Sequence, residues 1–353
     1  MVPFHFEHVC IESYALNLPT RKIPSAELEQ RLAPVYERLQ IPFGTLEKIS
    51  GVSSRYFWPE DVYPSMAGTV AAERALEGIG FGREKIKALF SCAVTRDYFE
   101  PSTACLLHKN LKMDESAIVM DISNACLGFS DGLMMLGSLI EAGVVPAGVV
   151  VSAETISRCS EALMRHLLSS PGLGRDELLK LLPSLTLGSG AVAYVLCHDS
   201  IATKKHKLLG GVSRAATDCC DLCIGNGDYY LRQGEDFNPI METESSKLIA
   251  AAARLGGRTW KDASEHFGWK ADDIDHIVCH QVGKQVNDAF YKEMGLQREK
   301  EFTIYQEYGN LVSAALPTAF VMAIDQRGMK KGDKILLTGF GSGLNSMFSA
   351  IEW

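Results

Sequence analysis

The stretch Asp121-Ile122-Ser123-Asn124-Ala125-Cys126-Leu127-Gly128-Phe129 decides how this chain is interpreted. Its first residues predict the end of a strand, its middle a tight turn, and the apolar residues that follow recur at helical spacing, so a helix is predicted to open at Cys126. A thiol in the first turn of a helix meets unpaired backbone N–H groups and the positive end of the helix dipole. Both favour the thiolate, by about 0.3–1 kcal/mol at an exposed site, so Cys126 is a candidate nucleophile. The alternative is a buried structural cysteine, which is the simplest interpretation of most other cysteines in the chain.

The chain around this turn alternates between apolar runs of strand character and segments with helical periodicity, a pattern typical of α/β proteins. The predicted strands cover residues 86–94, 117–123, 148–153, 191–197, 274–279 and 334–338. The predicted helices cover residues 25–39, 66–79, 126–142, 244–255, 283–294 and 312–327. The glycine pair at 256–257 is expected to end the fourth helix, and a short helical turn is expected at 260–267.

Two parts of the chain resemble each other weakly. Residues 86–94 are similar to residues 274–282, and the helices predicted to start at Cys126 and Val312 are followed by a strand after the same number of residues. This pattern predicts two similar α/β halves, residues 1–205 and 206–353, with a helical segment inserted at about 156–184 in the first half. Equivalent loops of two such halves would surround one pseudo-twofold axis and could share one active site.

Length and charge narrow the function classes. The 353 residues carry 35 Lys and Arg against 43 Asp and Glu, a formal net charge of −8, and 46% of them are hydrophobic. These are the proportions of a globular protein, and the acidic balance argues against nucleic-acid binding, which needs clustered basic side chains. The start of the chain lacks the pattern of a signal peptide, and the longest charge-free apolar run, residues 308–324, contains Pro317 and is short for a membrane span. We therefore expect a cytoplasmic protein without integral membrane association.

The ten cysteines include one Cys-x-x-Cys pair, Cys220 and Cys223. A zinc site needs a second ligand pair at a suitable spacing, and the sequence offers none. No bound metal is therefore expected, and the cysteines are expected to be reduced thiols.

Three further segments could complete a site around Cys126. His280 ends an apolar strand, where a side chain reaches the mouth of an α/β sheet. Asn310 precedes the helix predicted to start at Val312, and Gly339-Phe340-Gly341-Ser342-Gly343 follows the last apolar strand, where backbone N–H groups can approach a ligand closely. Taken singly, these are most simply a structural histidine, a turn residue and a glycine turn. Together, in this order along the chain, they form a specific set.

With this set the chain resembles the thiolase-fold condensing enzymes of the ketoacyl synthase III type, over essentially its whole length. The resemblance implies a thiolase fold of five layers, αβαβα, a homodimer, and acyl-CoA or acyl-carrier-protein substrates. Coenzyme A is part of those substrates, so no separate cofactor is implied.

The resemblance also implies roles for individual residues. Cys126 takes the acyl group as a thioester, and its backbone N–H forms one oxyanion hole with that of Ser342. His280 and Asn310 bind the enolate oxygen of the second substrate. The candidate substrate-binding residues are Phe129 and Leu344 for the acyl chain and Arg214 for a phosphate.

Two departures refine the resemblance. Biosynthetic thiolases have a second cysteine just before the terminal glycines, where this chain has Gly339. The segment Asp97-Tyr98-Phe99-Glu100-Pro101-Ser102-Thr103 carries a carboxylate that a decarboxylating synthase does not need, because loss of CO₂ replaces proton removal. This segment is similar to that of the OleA family, the head-to-head acyl-CoA condensing enzymes of bacterial olefin synthesis, in which the corresponding glutamate is the base in the partner subunit's site. Without the resemblance, Glu100 would most simply be an acid at a helix N-terminus.

The implied reaction is a non-decarboxylative Claisen condensation of two acyl-CoA thioesters through acyl-Cys126. Glu100 would remove the α proton across a dimer interface, and hydrolysis would give a 2-alkyl-3-oxoalkanoic acid. The main alternative is a decarboxylating β-ketoacyl-[acyl-carrier-protein] synthase III that uses malonyl thioester. An aldol condensation like that of hydroxymethylglutaryl-CoA synthase ranks third, and the non-enzyme alternative is a subunit that only shapes a partner's pocket.

Overall fold

The computed structural model of the chain describes residues 2–225 and 240–353. Its strands are β1 (Val2–His5), β2 (Val9–Asn17), β3 (Arg21–Pro24), β4 (Ser54–Phe57), β5 (Ile86–Ser91), β6 (Ile118–Asp121), β7 (Ala147–Glu154), β8 (Gly190–His198), β9 (His206–Ala215), β10 (Cys223–Gly225), β11 (Met241–Thr243), β12 (His276–Cys279), β13 (Lys334–Gly341) and β14 (Asn345–Glu352). Its α-helices are α1 (Ser25–Arg31), α2 (Ala33–Arg38), α3 (Thr45–Ser50), α4 (Pro64–Glu77), α5 (Thr103–Asn110), α6 (Gly128–Glu141), α7 (Ser157–Ser169), α8 (Arg175–Leu181), α9 (Ser245–Phe267), α10 (Lys284–Met294), α11 (Tyr305–Tyr308) and α12 (Ala315–Arg327). Short 3₁₀ helices cover Arg83–Lys85, Leu182–Thr186, Thr217–Leu222, Ala271–Asp273, Arg298–Lys300 and Val312–Ala314.

The main sheet has ten strands, and its order repeats. From β6 inward the strands run β5, β7, β8 and β2, and from the other edge they run β12, β13, β14 and β9. In each series the first two strands are parallel and the next two pairings are antiparallel. The two series join where β2 pairs with β9, through Cys10↔Lys207 and Ile11↔His206. The main sheet therefore consists of two similar halves, as the weak internal repeat predicts.

Helices complete five layers around these strands. Helices α4 and α5 cover the outer face of the first half, and α9 with α10 covers the outer face of the second. Helices α6 and α12 lie in the middle and contact strands of both halves, α6 through β7 and β14 and α12 through β8 and β12. The largest hydrophobic cluster fills this central layer and includes Leu133, Leu136, Phe320 and Leu337. The predicted αβαβα thiolase fold is confirmed.

The division of the chain at residue 205/206 stays a prediction. His206 begins β9, but β1 at the start of the chain pairs with β9 of the second half. The segment predicted to be inserted at about 156–184 carries α7 and α8. These helices pack against α1 and α2 in a separate hydrophobic cluster that includes Leu28, Tyr36 and Leu163. Arg31 joins the same elements by a bidentate ion pair with Glu161, with N–O distances of 2.7 and 2.6 Å.

Several predicted element boundaries are wrong. The helix predicted at 25–39 is two helices that meet at Leu32, because Pro34 follows in the first turn of α2 and cannot donate a backbone hydrogen bond. The glycine pair does not end a helix, since α9 runs unbroken through it. A Cβ on Gly256 would lie 2.8 Å from the Phe340 ring, and one on Gly257 would lie 3.1 Å from Glu293. These glycines let α9 pack closely on its neighbours.

Strands β2, β9 and β14 were not predicted from the sequence. The hydrophobic run of β9 is interrupted by Gly210-Gly211, and a Cβ on Gly210 would lie 2.1 Å from the backbone oxygen of Phe4 on β1. Glycine at this position permits the close approach of β9 to β1. No helix in residues 2–225 and 240–353 combines the length and the apolar character needed to cross a bilayer.

Candidate active site

The nucleophile turn joins β6 to α6. Ala125 adopts a left-handed backbone conformation with φ of 47°, which is strained for a residue other than glycine. The turn is closed by the Leu127 N–H, which donates to the Asn124 oxygen at 2.9 Å. Helix α6 begins at Gly128, so Cys126 lies before the helix and not in its first turn.

The glycine-rich end of β13 packs directly on this turn. A Cβ on Gly341 would lie 3.2 Å from both the Asn124 oxygen and the Leu127 nitrogen, and one on Gly339 would lie 2.7 Å from the Leu127 side chain. The Asn345 side chain adds a hydrogen bond to Asn124 Oδ1 at 3.1 Å. Glycine at these positions thus lets the second half place the backbone of Ser342 beside the nucleophile of the first half.

A cavity of about 670 Å³ opens at this junction. Four residues predicted to act in catalysis line this cavity: Cys126, His280, Asn310 and Ser342. Its apolar wall includes Ile156, Leu248, Val286, Phe290, Phe340 and Leu344. The cavity thus combines a thiol, an imidazole and a carboxamide with an apolar surface, which is the composition of a small-molecule site with a few polar groups.

The expectation of a stabilised Cys126 thiolate is wrong. Burial raises the pKa of the Cys126 thiol well above its ordinary range, and the negative charge of Glu154 acts in the same direction. Cys126 lies two residues before the first residue of α6, outside the first turn of that helix. The resting nucleophile is therefore a neutral thiol.

The raised pKa of Cys126 predicts how its alkylation depends on pH. Because the thiolate is the reactive form and its pKa is raised, the rate of modification by iodoacetamide should rise continuously from pH 6 to pH 9. Peptide mapping by mass spectrometry measures the rate at Cys126, and the exposed Cys105 in the same digest reports on the reagent. A rate that reaches its plateau below about pH 7 would show a stabilised thiolate and contradict this account.

His280 and Asn310 enter the cavity from the second half. His280 is 3% exposed, and burial lowers the pKa of its imidazole to about 4, so the ring is neutral at physiological pH. A neutral ring can donate one hydrogen bond to an oxyanion without adding a fixed charge. Asn310 Oδ1 accepts a hydrogen bond from the Val312 N–H at 2.9 Å, so the group it offers to an oxygen ligand is the amide Nδ2.

The Asn310 loop is held by the first half. Its backbone N–H donates to the Thr186 oxygen at 3.0 Å, and its oxygen accepts from the Gly188 N–H at 2.9 Å. Gly309 has φ of 70°, and a Cβ there would lie 2.4 Å from the Thr186 oxygen. Val312 has φ of 56°, a strained conformation for a β-branched residue. The carboxamide is thus fixed in place by contacts between the two halves.

The loop that carries Glu100 follows β5 and runs along the same cavity. Of the described cavity-lining residues, this loop supplies Val94, Thr95, Arg96, Asp97, Tyr98 and Phe99, but not Glu100. The Glu100 side chain is exposed, beside Tyr98 and Phe99, which are 56% and 65% exposed. Within one chain, Glu100 is therefore not brought together with Cys126, His280 and Asn310.

Two predicted substrate-binding residues lie elsewhere. Phe129 is 1% exposed and packs edge to face on Tyr194, with ring centroids 5.0 Å apart, so it belongs to the central core. Arg214 does not line the cavity; its Nε forms an ion pair with Asp262 on α9 at 2.5 Å. Leu344 does line the cavity. Phe129 is therefore a core residue and not part of the cavity wall, because apolar periodicity does not distinguish a core face from a cavity face. The phosphate contact expected of Arg214 stays a prediction.

One carboxylate near Cys126 was missed. Glu154, at the end of the fully buried strand β7, is itself fully buried and is close enough to affect the titration of Cys126. The sequence contained a signal for this residue, because Glu154 is an ionisable residue at the end of an otherwise apolar strand. That strand ends near the nucleophile turn. Sequence reasoning ended the predicted strand one residue earlier.

Potential metal ligands lie away from this cavity. Among the described residues, one group with suitable atoms within 4.8 Å of one another is His8, His198 and Asp199. His198 ends β8 at the opposite end of the sheet from Glu154, since β7 and β8 are antiparallel. Cys223 lines the cavity and Cys220 is exposed, and no third ligand accompanies them in the part of the chain that the structure describes.

Comparison with known proteins identifies the family. The family described as 3-oxoacyl-[acyl-carrier-protein (ACP)] synthase III C terminal matches residues 265–353. The acyl-CoA:acyl-CoA alkyltransferase of Xanthomonas campestris pv. campestris is 34% identical over 348 residues, which cover 99% of each chain. The chain belongs to the acyl-CoA:acyl-CoA alkyltransferase family. The predicted resemblance and the predicted enzyme class, an acyltransferase, are confirmed.

A solved structure and a more distant relative add to this comparison. A crystal structure of Xanthomonas campestris OleA with bound lauric acid and lauroyl-CoA superposes with a TM-score of 0.92 at 33% identity and covers 99% of this chain and 100% of that one. A β-ketoacyl-[acyl-carrier-protein] synthase III of Clostridium tetani is 27% identical over 295 residues, 81% of this chain and 83% of that protein. The chain is thus more similar to the alkyltransferase than to this synthase III.

Proposed function

We propose that the protein condenses two acyl-CoA thioesters without decarboxylation and releases a 2-alkyl-3-oxoalkanoic acid. The observation that carries this proposal is that Cys126, His280 and Asn310 line one cavity together with an apolar wall. Membership of the acyl-CoA:acyl-CoA alkyltransferase family supports acyl-CoA as both donor and acceptor. The reaction needs no cofactor beyond the coenzyme A of its substrates.

The first half-reaction transfers an acyl group to Cys126. The thiol loses its proton as Sγ bonds to the carbonyl carbon, and the tetrahedral oxyanion accepts hydrogen bonds from the backbone N–H groups of Cys126 and Ser342. Loss of one such donor costs about 3–4 kcal/mol in typical enzymes. The bond to the coenzyme A sulfur then breaks, and coenzyme A leaves with the proton.

The second half-reaction forms the carbon–carbon bond. Glu100 of the partner subunit takes the α proton of a second acyl-CoA, and His280 and Asn310 donate hydrogen bonds to the enolate oxygen. The α carbon attacks the Cys126 thioester, and the Cys126 sulfur leaves and regains a proton. Hydrolysis of the remaining coenzyme A thioester gives the free acid.

Exposure around β6 supports a homodimer that delivers Glu100. Strand β6 ends the main sheet and pairs with β5 alone among the described strands. Met120 on this strand is 42% exposed, and the exposed Tyr98 and Phe99 lie on the loop that continues from β5. Large apolar groups at an open sheet edge favour association with a second copy. Such a contact would cover the loop and bring Glu100 to the neighbouring site.

Incubation with lauroyl-CoA as the sole substrate tests the proposed reaction. We expect mass spectrometry to detect a product that retains both acyl chains, with two coenzyme A molecules released for each product and no requirement for malonyl thioester. If condensation occurs only when malonyl-CoA or malonyl-carrier protein is added, with release of CO₂, the decarboxylating alternative is correct and the proposal fails.

A further inference from the structure

Glu154 links the two loops that the proposed condensation step needs. Its Oε1 accepts from the Val94 N–H at 3.0 Å, and its Oε2 accepts from the Thr95 N–H and hydroxyl at 3.1 and 2.8 Å. The other side of Oε1 accepts from the hydroxyl of Ser313 and, at 3.4 Å, from its N–H. Val94 and Thr95 begin the loop that carries Glu100, and Ser313 follows the loop that carries Asn310.

Glu154 combines complete burial with a position close to Cys126. Glu154 is fully buried, and burial raises the pKa of its carboxyl, whereas its hydrogen-bond donors favour the charged form. The group also opposes ionisation of Cys126. A buried acid beside the nucleophile, with a donor set drawn from both loops, indicates a function in the reaction.

We propose that Glu154 is a positioning residue for the condensation step. Its carboxylate fixes the position of the loop that carries Glu100 relative to the loop that carries Asn310. This inference rests on the proposed function. Acylation of Cys126 uses the backbone N–H groups of the nucleophile turn and of Ser342, which Glu154 does not contact. The two half-reactions should therefore respond differently to its loss.

The variant Glu154→Gln removes this link at constant size. An amide has one acceptor oxygen, and whichever end carries the NH₂ group faces backbone N–H donors, at Val94 and Ser313 or at Thr95. In the first orientation both loops lose a contact, and in the second the loop that carries Glu100 loses its backbone contact through Thr95. We expect the burst of coenzyme A release that reports acylation to stay within about threefold of wild type, while condensation of lauroyl-CoA falls by more than about tenfold.

Glu12→Gln is the matched control. Glu12 is 1% exposed, and it accepts from the N–H groups of Gly80, Thr203 and Lys204 at the opposite end of the sheet. This variant should lose thermal stability to a similar extent but keep both half-reactions. If Glu154→Gln does not fold, Ser313→Ala and Thr95→Val each remove one hydroxyl hydrogen bond to Glu154. Each variant should lower condensation and leave acylation unchanged.

Equal loss of acylation and condensation in the folded variants would indicate a merely structural role and overturn the inference, as would undiminished condensation in Glu154→Gln. A wild-type protein that acylates Cys126 but forms no condensed product contradicts the proposed function itself, and the inference falls with it. The two kinds of failure are distinguishable. A wild-type protein that condenses lauroyl-CoA supports the proposed function, and the variants then test the inference on Glu154 separately.

Discussion

A Cys126→Ala variant is expected to lose both half-reactions completely. The acyl group has no other thiol at the turn between β6 and α6, and the enolate has no thioester to attack. We expect no acyl adduct in the intact mass spectrum after incubation with lauroyl-CoA, and a fall in condensation of at least about a thousandfold. Binding of the acyl chain should persist, since the apolar wall of the cavity is unchanged.

The cavity contains its own control for this result. Cys159 and Cys223 also line it, so a second thiol could carry the acyl group. A Cys159→Ala variant should still show one acyl adduct, and peptide mapping should place it at Cys126. An adduct that survives in Cys126→Ala and maps to either of the other cysteines would assign the nucleophile elsewhere.

A Glu100→Ala variant is expected to separate the two half-reactions. Acylation of Cys126 does not involve a base at Glu100, so the coenzyme A burst should be normal. Condensation should fall by about 10²–10⁴-fold, the contribution of a positioned general base. The product that accumulates is the acyl enzyme, which labelled lauroyl-CoA detects on Cys126.

An exposed acid remote from the proposed interface is the matched control for Glu100. Glu77 lies at the end of α4, is exposed, and is not among the residues that line the cavity. Glu77→Ala should leave both half-reactions unchanged. Condensation of lauroyl-CoA by Glu100→Ala at the wild-type rate would contradict the role of Glu100, because lauroyl-CoA cannot lose CO₂ and another group would then have to remove the α proton.

The sequence predicted the parts of the site that follow from local signals for strand ends, turns and helix starts. A strand end, a tight turn and a helix start mark Cys126, the end of an apolar strand marks His280, and the structure brings both to one cavity with Asn310. Glycines near Ser342 were recognisable as a close backbone approach, and the structure gives the partner, the nucleophile turn itself.

The remaining features depended on long-range contacts that a local pattern does not contain. Phe129 faces Tyr194 across the central layer, and Arg214 meets Asp262 from a different element. The raised pKa of Cys126 results from burial and a neighbouring charge, both set by tertiary packing and opposite in effect to the helix dipole.

Mixing the Cys126→Ala and Glu100→Ala proteins tests the central claim most directly, because each supplies what the other lacks. After subunit exchange, half of the dimers should be mixed, and each mixed dimer should hold one site with both an acylated Cys126 and Glu100 of the partner subunit. We predict that condensation returns to about a quarter of the wild-type rate, although each variant alone is inactive. If verified mixed dimers stay inactive, the thioester and the base do not meet across an interface, and the account is contradicted.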